Sequence, residues 1–261
     1  MTTDADIPAY YSRLAEFRSL FNRGNPILTY HKLGPPPRRV RLKGLYLSRA
    51  LFARQLQELR ADGFTSGSLE TCAGPRTGKQ IVVTFDDGYV NALRHGLQPL
   101  ADARFTAIQF LVADLLGKHN EWDVPLGEAP EPMMNETQVR EWLAAGHHIG
   151  SHTLTHPFLT KVSHQAAKEE ITASRKKLED RFGRPIEHFC YPYGDWNEKV
   201  RDLVVDAGYQ TACTTDTGIN TAADAPFSLR RFTARYPTRT FKAVWSRLVG
   251  GMTQRARMSP S

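Results

Sequence analysis

The chain has 261 residues, 41% hydrophobic and 23% charged, a composition that excludes a disordered tail, a collagen or a disulfide-stapled miniature. Its three cysteines (Cys72, Cys190 and Cys213) show no paired spacing, against a disulfide framework or zinc knuckle, and no apolar run approaches the roughly 20 residues that span a bilayer. The net charge of +7 sits in two stretches without acids, residues 17–57 with nine Lys and Arg and residues 225–261 with eight.

The opening MTTDADIPAYYSRL carries acids where a secretory leader would be basic, and it lacks an apolar segment, so a cytoplasmic protein is expected. Residues 1–25 are expected to form a helical extension. Candidate strands follow at 27–30, 80–85, 105–112, 148–150, 187–191, 210–214 and 229–233, each rich in β-branched or aromatic residues. Helical patterns lie between them. Ser48 caps a stretch whose Leu51, Phe52, Leu56 and Leu59 share a face, and Gly63 ends it. Asn135 opens another that closes at Gly146. Ser163 opens a third, with Ala167, Ile171, Ser174 and Leu178 on one face and Gly183 at its end. Val200, Leu203, Val204 and Ala207 make a fourth before Gly208.

Strands separated by helices predict parallel pairing through right-handed crossovers, hence a single-domain α/β barrel. In such a barrel the chemistry gathers at the carboxyl edge. The residues just past the predicted strands are Tyr30-His31, Asp86-Asp87-Gly88, Ser151-His152-Thr153-Leu154-Thr155-His156 and Tyr191-Pro192-Tyr193-Gly194. Acids, imidazoles and a tight turn thus converge on one rim.

His152 and His156, four residues apart, would share one side of a helical turn and could grip one ion. Asp86 and Asp87 offer a third ligand, since the turn at Gly88 can bring both carboxylates to one cavity. Two imidazoles and one carboxylate leave coordination positions open, as hydrolytic metal sites require. A bound divalent cation can pull the pKa of its water from 15.7 toward about 7. One carboxylate must then stay off the metal to accept the proton. The Tyr191-Pro192-Tyr193-Gly194 turn could offer a backbone N–H to an oxyanion, and a leaving amine would need an acid.

Thr84-Phe85-Asp86-Asp87-Gly88, then Ser151-His152-Thr153-Leu154-Thr155-His156-Pro157, then Tyr191-Pro192-Tyr193-Gly194 together resemble the polysaccharide deacetylases of the NodB-homology group, carbohydrate esterase family 4. Ile27-Leu28-Thr29-Tyr30-His31 and Leu45-Tyr46-Leu47-Ser48 look like the branch that deacetylates the biofilm polymer poly-N-acetylglucosamine. The resemblance implies a distorted (β/α)7 barrel over residues 26–250, with 251–261 as a basic, flexible tail. It implies metal-dependent removal of N-acetyl groups from amino sugars, with Asp86 as general base and Asp87, His152 and His156 as metal ligands. The Tyr193 N–H would serve the oxyanion. Zn2+ is the expected ion, with Co2+, Ni2+ or Fe2+ as alternatives.

The pattern departs from the family in three places. The slot that usually holds an Arg orienting the base is Cys190. The Asp-x-x-Asp-Trp segment has no counterpart, since Asp195-Trp196 follows Gly194 directly and Thr214-Thr215-Asp216-Thr217-Gly218 occupies the later strand end. The Leu-x-His general acid is missing, because no histidine follows His188. His31, on the same rim, is the replacement expected here. Pro192, Tyr193 and Trp122, the last a sugar-stacking platform in the loop 117–132, are the expected substrate contacts.

The basic stretches point to anionic partners such as phosphorylated or lipid-linked sugars, while no zinc-finger, RNP or recognition-helix pattern supports nucleic acid. Phe241, Val244, Trp245, Leu248 and Val249 space an amphipathic helix that either closes the barrel wall or, with Arg239, Lys242 and Arg247, touches a membrane surface. The functional expectation is an amino-sugar N-deacetylase. Its alternatives are a deformylase of a lipid-linked amino sugar and a catalytically silent glycan-binding barrel.

Overall fold

A computed structural model describes residues 10–236, apart from 39 and 127. In chain order the helices and strands are α1 (Leu14–Phe21), β1 (Ile27–Tyr30), β2 (Lys32–Leu33), β3 (Tyr46–Leu47), α2 (Arg49–Ala61), β4 (Thr65–Ser66), β5 (Gln80–Phe85), α3 (Val90–Ala103), β6 (Ala107–Leu111), α4 (Glu136–Ala144), β7 (His148–Ser151), α5 (His164–Phe182), β8 (His188–Cys190), α6 (Glu198–Asp206), β9 (Thr211–Cys213) and β10 (Phe232–Thr233). The main sheet runs β10-β1-β5-β6-β7-β8-β9, all parallel, with β4 paired to β5. Leu229, just ahead of β10, bridges to Cys213 of β9 and bonds to Ala212 and Thr214, joining the two ends of the path. The expected distorted (β/α)7 barrel is the observed fold.

The helix signals act as read. The Ser48 hydroxyl accepts from the Leu51 N–H, Ser163 from Ala166, and Asn135 closes a capping box with Gln138. Gly183 ends α5 at φ +64. Three features differ from the sequence expectation. Several strands are shorter than their apolar runs, 105–112 shrinking to Ala107–Leu111 because only those residues find ladder partners. Helix α3, which no pattern announced, contains Gly96 and Pro99, both weak helix formers that mask its buried face. The small β2–β3 pair is likewise additional. α1 lies within the stretch expected as an extension and packs Phe17 and Phe21 against Phe232 of β10. The amphipathic pattern 241–249 and the tail 251–261 lie outside the described residues.

Alternation along the strands sorts the side chains into two cores. Ile81, Val83 and Phe85 join the outer layer between sheet and helices, whereas Val82 sits inside the barrel with Ile27, Phe110, Cys190, Cys213 and Leu229. The inner parity of β1 runs Ile27, Thr29, then His31; that of β5 runs Val82, Thr84, then Asp86. Ile27 pairs with Val82 and Thr29 with Thr84, so His31 and Asp86 follow as neighbours at the carboxyl mouth. Among the described residues no helix is long and apolar enough to cross a membrane.

Candidate active site

A cavity of about 350 Å3 opens at that mouth, and His31, Asp86, Asp87, His152, His156 and Tyr193 all line it. The volume is in the range of small-molecule sites, roughly 300–1,000 Å3. Strand parity delivers Asp86 to the barrel interior but would send Asp87 to the outer face. The chain corrects this at Asp87 itself, where φ is +77, followed by Gly88 at +93.

The two histidines are also brought together differently from expectation. His152 and His156 do not share a helical turn; they lie in an irregular loop after β7 that bends at Thr153 (φ +69) and His156 (φ +67). Glu170 on α5 holds this loop by accepting from the Leu154 and Thr155 N–H groups and the Thr155 hydroxyl, at 2.8, 2.9 and 2.6 Å. Thr153 Oγ1 accepts from the His156 N–H at 3.0 Å.

Asp87 Oδ1 then lies 3.4 Å from Nε2 of both histidines, all three side chains being buried. The ligand atoms of the trio fall within 4.8 Å of one another. His152 Nδ1 donates to the Cys190 carbonyl at 2.7 Å, which fixes the proton on Nδ1 and leaves the Nε2 lone pair free. Burial pushes the Asp87 carboxyl up, but the two imidazoles outweigh it and hold the group well below the usual carboxylate range. Two imidazole nitrogens and a carboxylate with ligand atoms within 4.8 Å of one another fit a divalent cation such as zinc.

Asp86 lies beside this trio, a carboxylate oxygen within 4.8 Å of a His152 ring nitrogen, but is engaged by another partner. Arg231, 1% exposed, approaches from the lead-in to β10 and donates Nη1 and Nη2 to the two carboxylate oxygens at 2.8 and 2.7 Å. Its Nε donates to the Thr214 carbonyl at 2.8 Å, and Nη2 also lies 3.1 Å from Cys190 Sγ. Arg231 thus fills in space the slot that Cys190 leaves empty in sequence. Burial raises the Asp86 pKa, but the Arg231 guanidinium outweighs that and keeps the carboxyl below its ordinary value. His31 Nε2 stands 3.7 Å from Asp86 Oδ2, and burial pushes its imidazole down, partly opposed by Asp86 and Asp87.

The turn after β8 carries Tyr193 at φ +58 and Gly194 at +70, and a Cβ on Gly194 would collide with Thr215. The Tyr193 ring stacks on Phe158 at 3.8 Å and meets His156 edge-on at 4.5 Å. Pro192 is buried and does not line the cavity. Trp122 does line it, with one ring face stacked on His156 at 4.2 Å.

Four further residues escaped the sequence reading. Lys32 is fully buried, with Nζ 3.8 Å from Asp123 Oδ2 and 4.5 Å from the Tyr89 ring centre, and Asp123 lines the cavity. Arg41 and Arg235 line it as well. Only their membership of the basic stretches hinted at the arginines.

Known proteins resemble the chain. PgdA of Listeria monocytogenes, a peptidoglycan-N-acetylglucosamine deacetylase, is 27% identical over 170 residues, 65% of this chain, which spans only 32% of that relative. YxkH of Bacillus subtilis is 24% identical over 213 residues, 79% of this chain and 70% of its own. Among solved structures, the deacetylase PplD of Streptococcus pyogenes superposes with a TM-score of 0.71 at 22% identity, covering 85% of this chain and 96% of that one. BC0361 of Bacillus cereus, a polysaccharide deacetylase, gives 0.69 at 26% identity over 85% of this chain and 68% of its own. The family model for polysaccharide deacetylases matches residues 73–212, more than half of the sequence, and the chain belongs to that family.

Proposed function

We propose that the chain is a metal-dependent N-deacetylase acting on an amino sugar of a glycan or glycan precursor. One observation carries the reading: an ionised carboxylate, Asp86, is clamped by Arg231 beside, but outside, a three-donor cluster of Asp87, His152 and His156. Those three residues would hold the cation, Zn2+ or alternatively Co2+, Ni2+ or Fe2+. Bound there, it supplies Lewis acidity that brings the pKa of water from 15.7 to about 7.

The chain's own groups do the rest. Asp86 accepts the proton of the attacking water, and Arg231 keeps it ionised and aimed. The Tyr193 N–H faces the developing oxyanion, its peptide set by the left-handed pair Tyr193-Gly194. His31, beside Asp86, delivers a proton to the leaving amine. Tyr193 and Trp122 bound the acyl and sugar subsite, while Pro192 shapes the turn from beneath.

Acetate release from an N-acetylated oligosaccharide tests the reading, and it should vanish on chelation and return with zinc. Asp86→Asn should lose on the order of 10²–10⁴ in kcat while still binding zinc stoichiometrically. His156→Ala should lose the zinc itself. Full activity in metal-free protein would overturn the proposal.

A further inference from the structure

The two acid-free stretches of the sequence meet at the mouth of the cavity. Arg41 comes from the first and Arg235 from the second, and both line the wall together with Gly44. Glu128 accepts the Arg41 and Leu42 N–H groups, both at 2.8 Å, which fixes the backbone and leaves the guanidinium to the cavity side. Among the described residues the Arg41 head finds only a carbonyl, Leu126 O at 3.4 Å.

Arg235 is seated more deliberately. Its guanidinium carbon lies 3.9 Å from the centre of the Tyr10 ring, and its buried Nε has no hydrogen-bond partner among the described residues. A Cβ on Gly44 would come within 3.0 Å of that guanidinium carbon, and Gly44 has no positive φ that would otherwise call for glycine. The missing side chain at 44 makes room for the arginine head. Among the described residues neither arginine has a carboxylate within ion-pair distance. The acids that line the cavity have partners of their own: Asp86 with Arg231, Asp87 with the two histidines, and Asp123 with Asn120 and Lys32.

Resting on the deacetylase reading, we propose that the amino sugar is a phosphorylated one, its phosphate bound at the cavity mouth by Arg41 and Arg235 while the N-acyl group reaches Asp86. Two guanidinium heads with unused donors match the several oxygens and double charge of a phosphate better than the hydroxyls of a neutral sugar. A free sugar phosphate and a nucleotide- or lipid-linked diphosphate present the same group.

Binding separates this proposal from turnover. Calorimetry on Asp86→Asn should show N-acetylglucosamine 1-phosphate binding roughly tenfold or more tighter than N-acetylglucosamine. That preference should shrink in Arg41→Gln and Arg235→Gln and weaken with added salt. Gly44→Val, which crowds Arg235 without removing its charge, should reduce the preference as well. A parallel assay of acetate release from the sugar phosphate, its uridine diphosphate form, a dolichol- or polyprenyl-linked form in detergent and a neutral chito-oligosaccharide distinguishes the sources. Equal affinity for the phosphorylated and neutral sugars, or a preference that survives both arginine substitutions, overturns the proposal. Phosphate-selective binding without acetate release from any substrate leaves the phosphate site standing and counts against the deacetylase reading alone.

Discussion

Arg231 and Asp86 form a two-pronged ion pair at 2.8 and 2.7 Å, although 145 residues separate them in the chain. Both are almost wholly buried. A buried pair of this kind is costly to break from one side, because the remaining charge is left without compensation.

Arg231→Met should therefore act on both stability and chemistry. Denaturant titration should show a loss of about 3–5 kcal/mol, the range for removing one partner of a buried pair. Burial raises the Asp86 pKa, and the guanidinium is the foremost group opposing it, ahead of His31 and His152. A base works only when ionised, so the acid limb of the kcat/KM profile should move to higher pH. Arg231→Lys should return part of the way. An unchanged acid limb with a uniform drop in rate would mean that Arg231 merely supports the fold.

His31→Gln should lower kcat by on the order of 10²–10⁴, the usual contribution of a positioned proton donor, and flatten the basic limb of the profile. KM should change less, because glutamine can still hydrogen-bond from that position. Its zinc content should match the parent's, since the ligand trio does not include His31. Steady-state kinetics across the histidine range, with metal analysis of the same samples, checks both parts. Undiminished turnover would remove His31 from the mechanism.

Much of this arrangement could be read from the chain alone, and for definite reasons. Strand parity and parallel register made His31 and Asp86 neighbours once 27–30 and 80–85 were recognised. His152 and His156 come together, but not by the helical rule that their spacing suggests; the left-handed bends at Thr153 and His156 bring them together, and backbone angles of that sort leave little trace in residue types. Arg231 was legible only as charge, because its role depends on which strand closes the barrel beside β1. The same holds for Arg235. Helix α3 stayed hidden because Gly96 and Pro99 weaken its local signal, while its face is fixed by tertiary packing on Leu33, Phe85 and Phe52.

Gly194→Ala tests the turn that carries Tyr193. At φ +70 an alanine is strained, and its Cβ would be driven into the Thr215 side chain and backbone. The turn must shift, taking the Tyr193 peptide with it. The expected result is a fall in kcat of about 10²–10³, as for loss of one oxyanion donor, with zinc affinity retained. Gly194→Ala with Thr215→Gly should recover part of the rate by relieving the collision. Normal kinetics in the single variant would show that the turn tolerates the shift and that its N–H is not needed.

His147 offers a test of stability away from the Asp87, His152 and His156 cluster. Its ring packs on Trp142 with centroids 4.4 Å apart, and its buried Nδ1 has no partner among the described residues. Burial, with a smaller contribution from His148, pushes its pKa down from 6.5 to about 4. Between those values the unfolded chain binds a proton that the folded chain refuses. The contribution to stability is thus complete above about pH 6.5 and is lost progressively as pH falls toward 4. His147→Phe keeps an aromatic ring against Trp142 and removes the titration. Urea midpoints of the two proteins should run parallel above about pH 7, and the parent's should fall faster than the variant's as the pH drops to about 5. Parallel curves over the whole range would mean that His147 is protonated in the folded chain as readily as in the unfolded one, which its enclosed Nδ1 argues against.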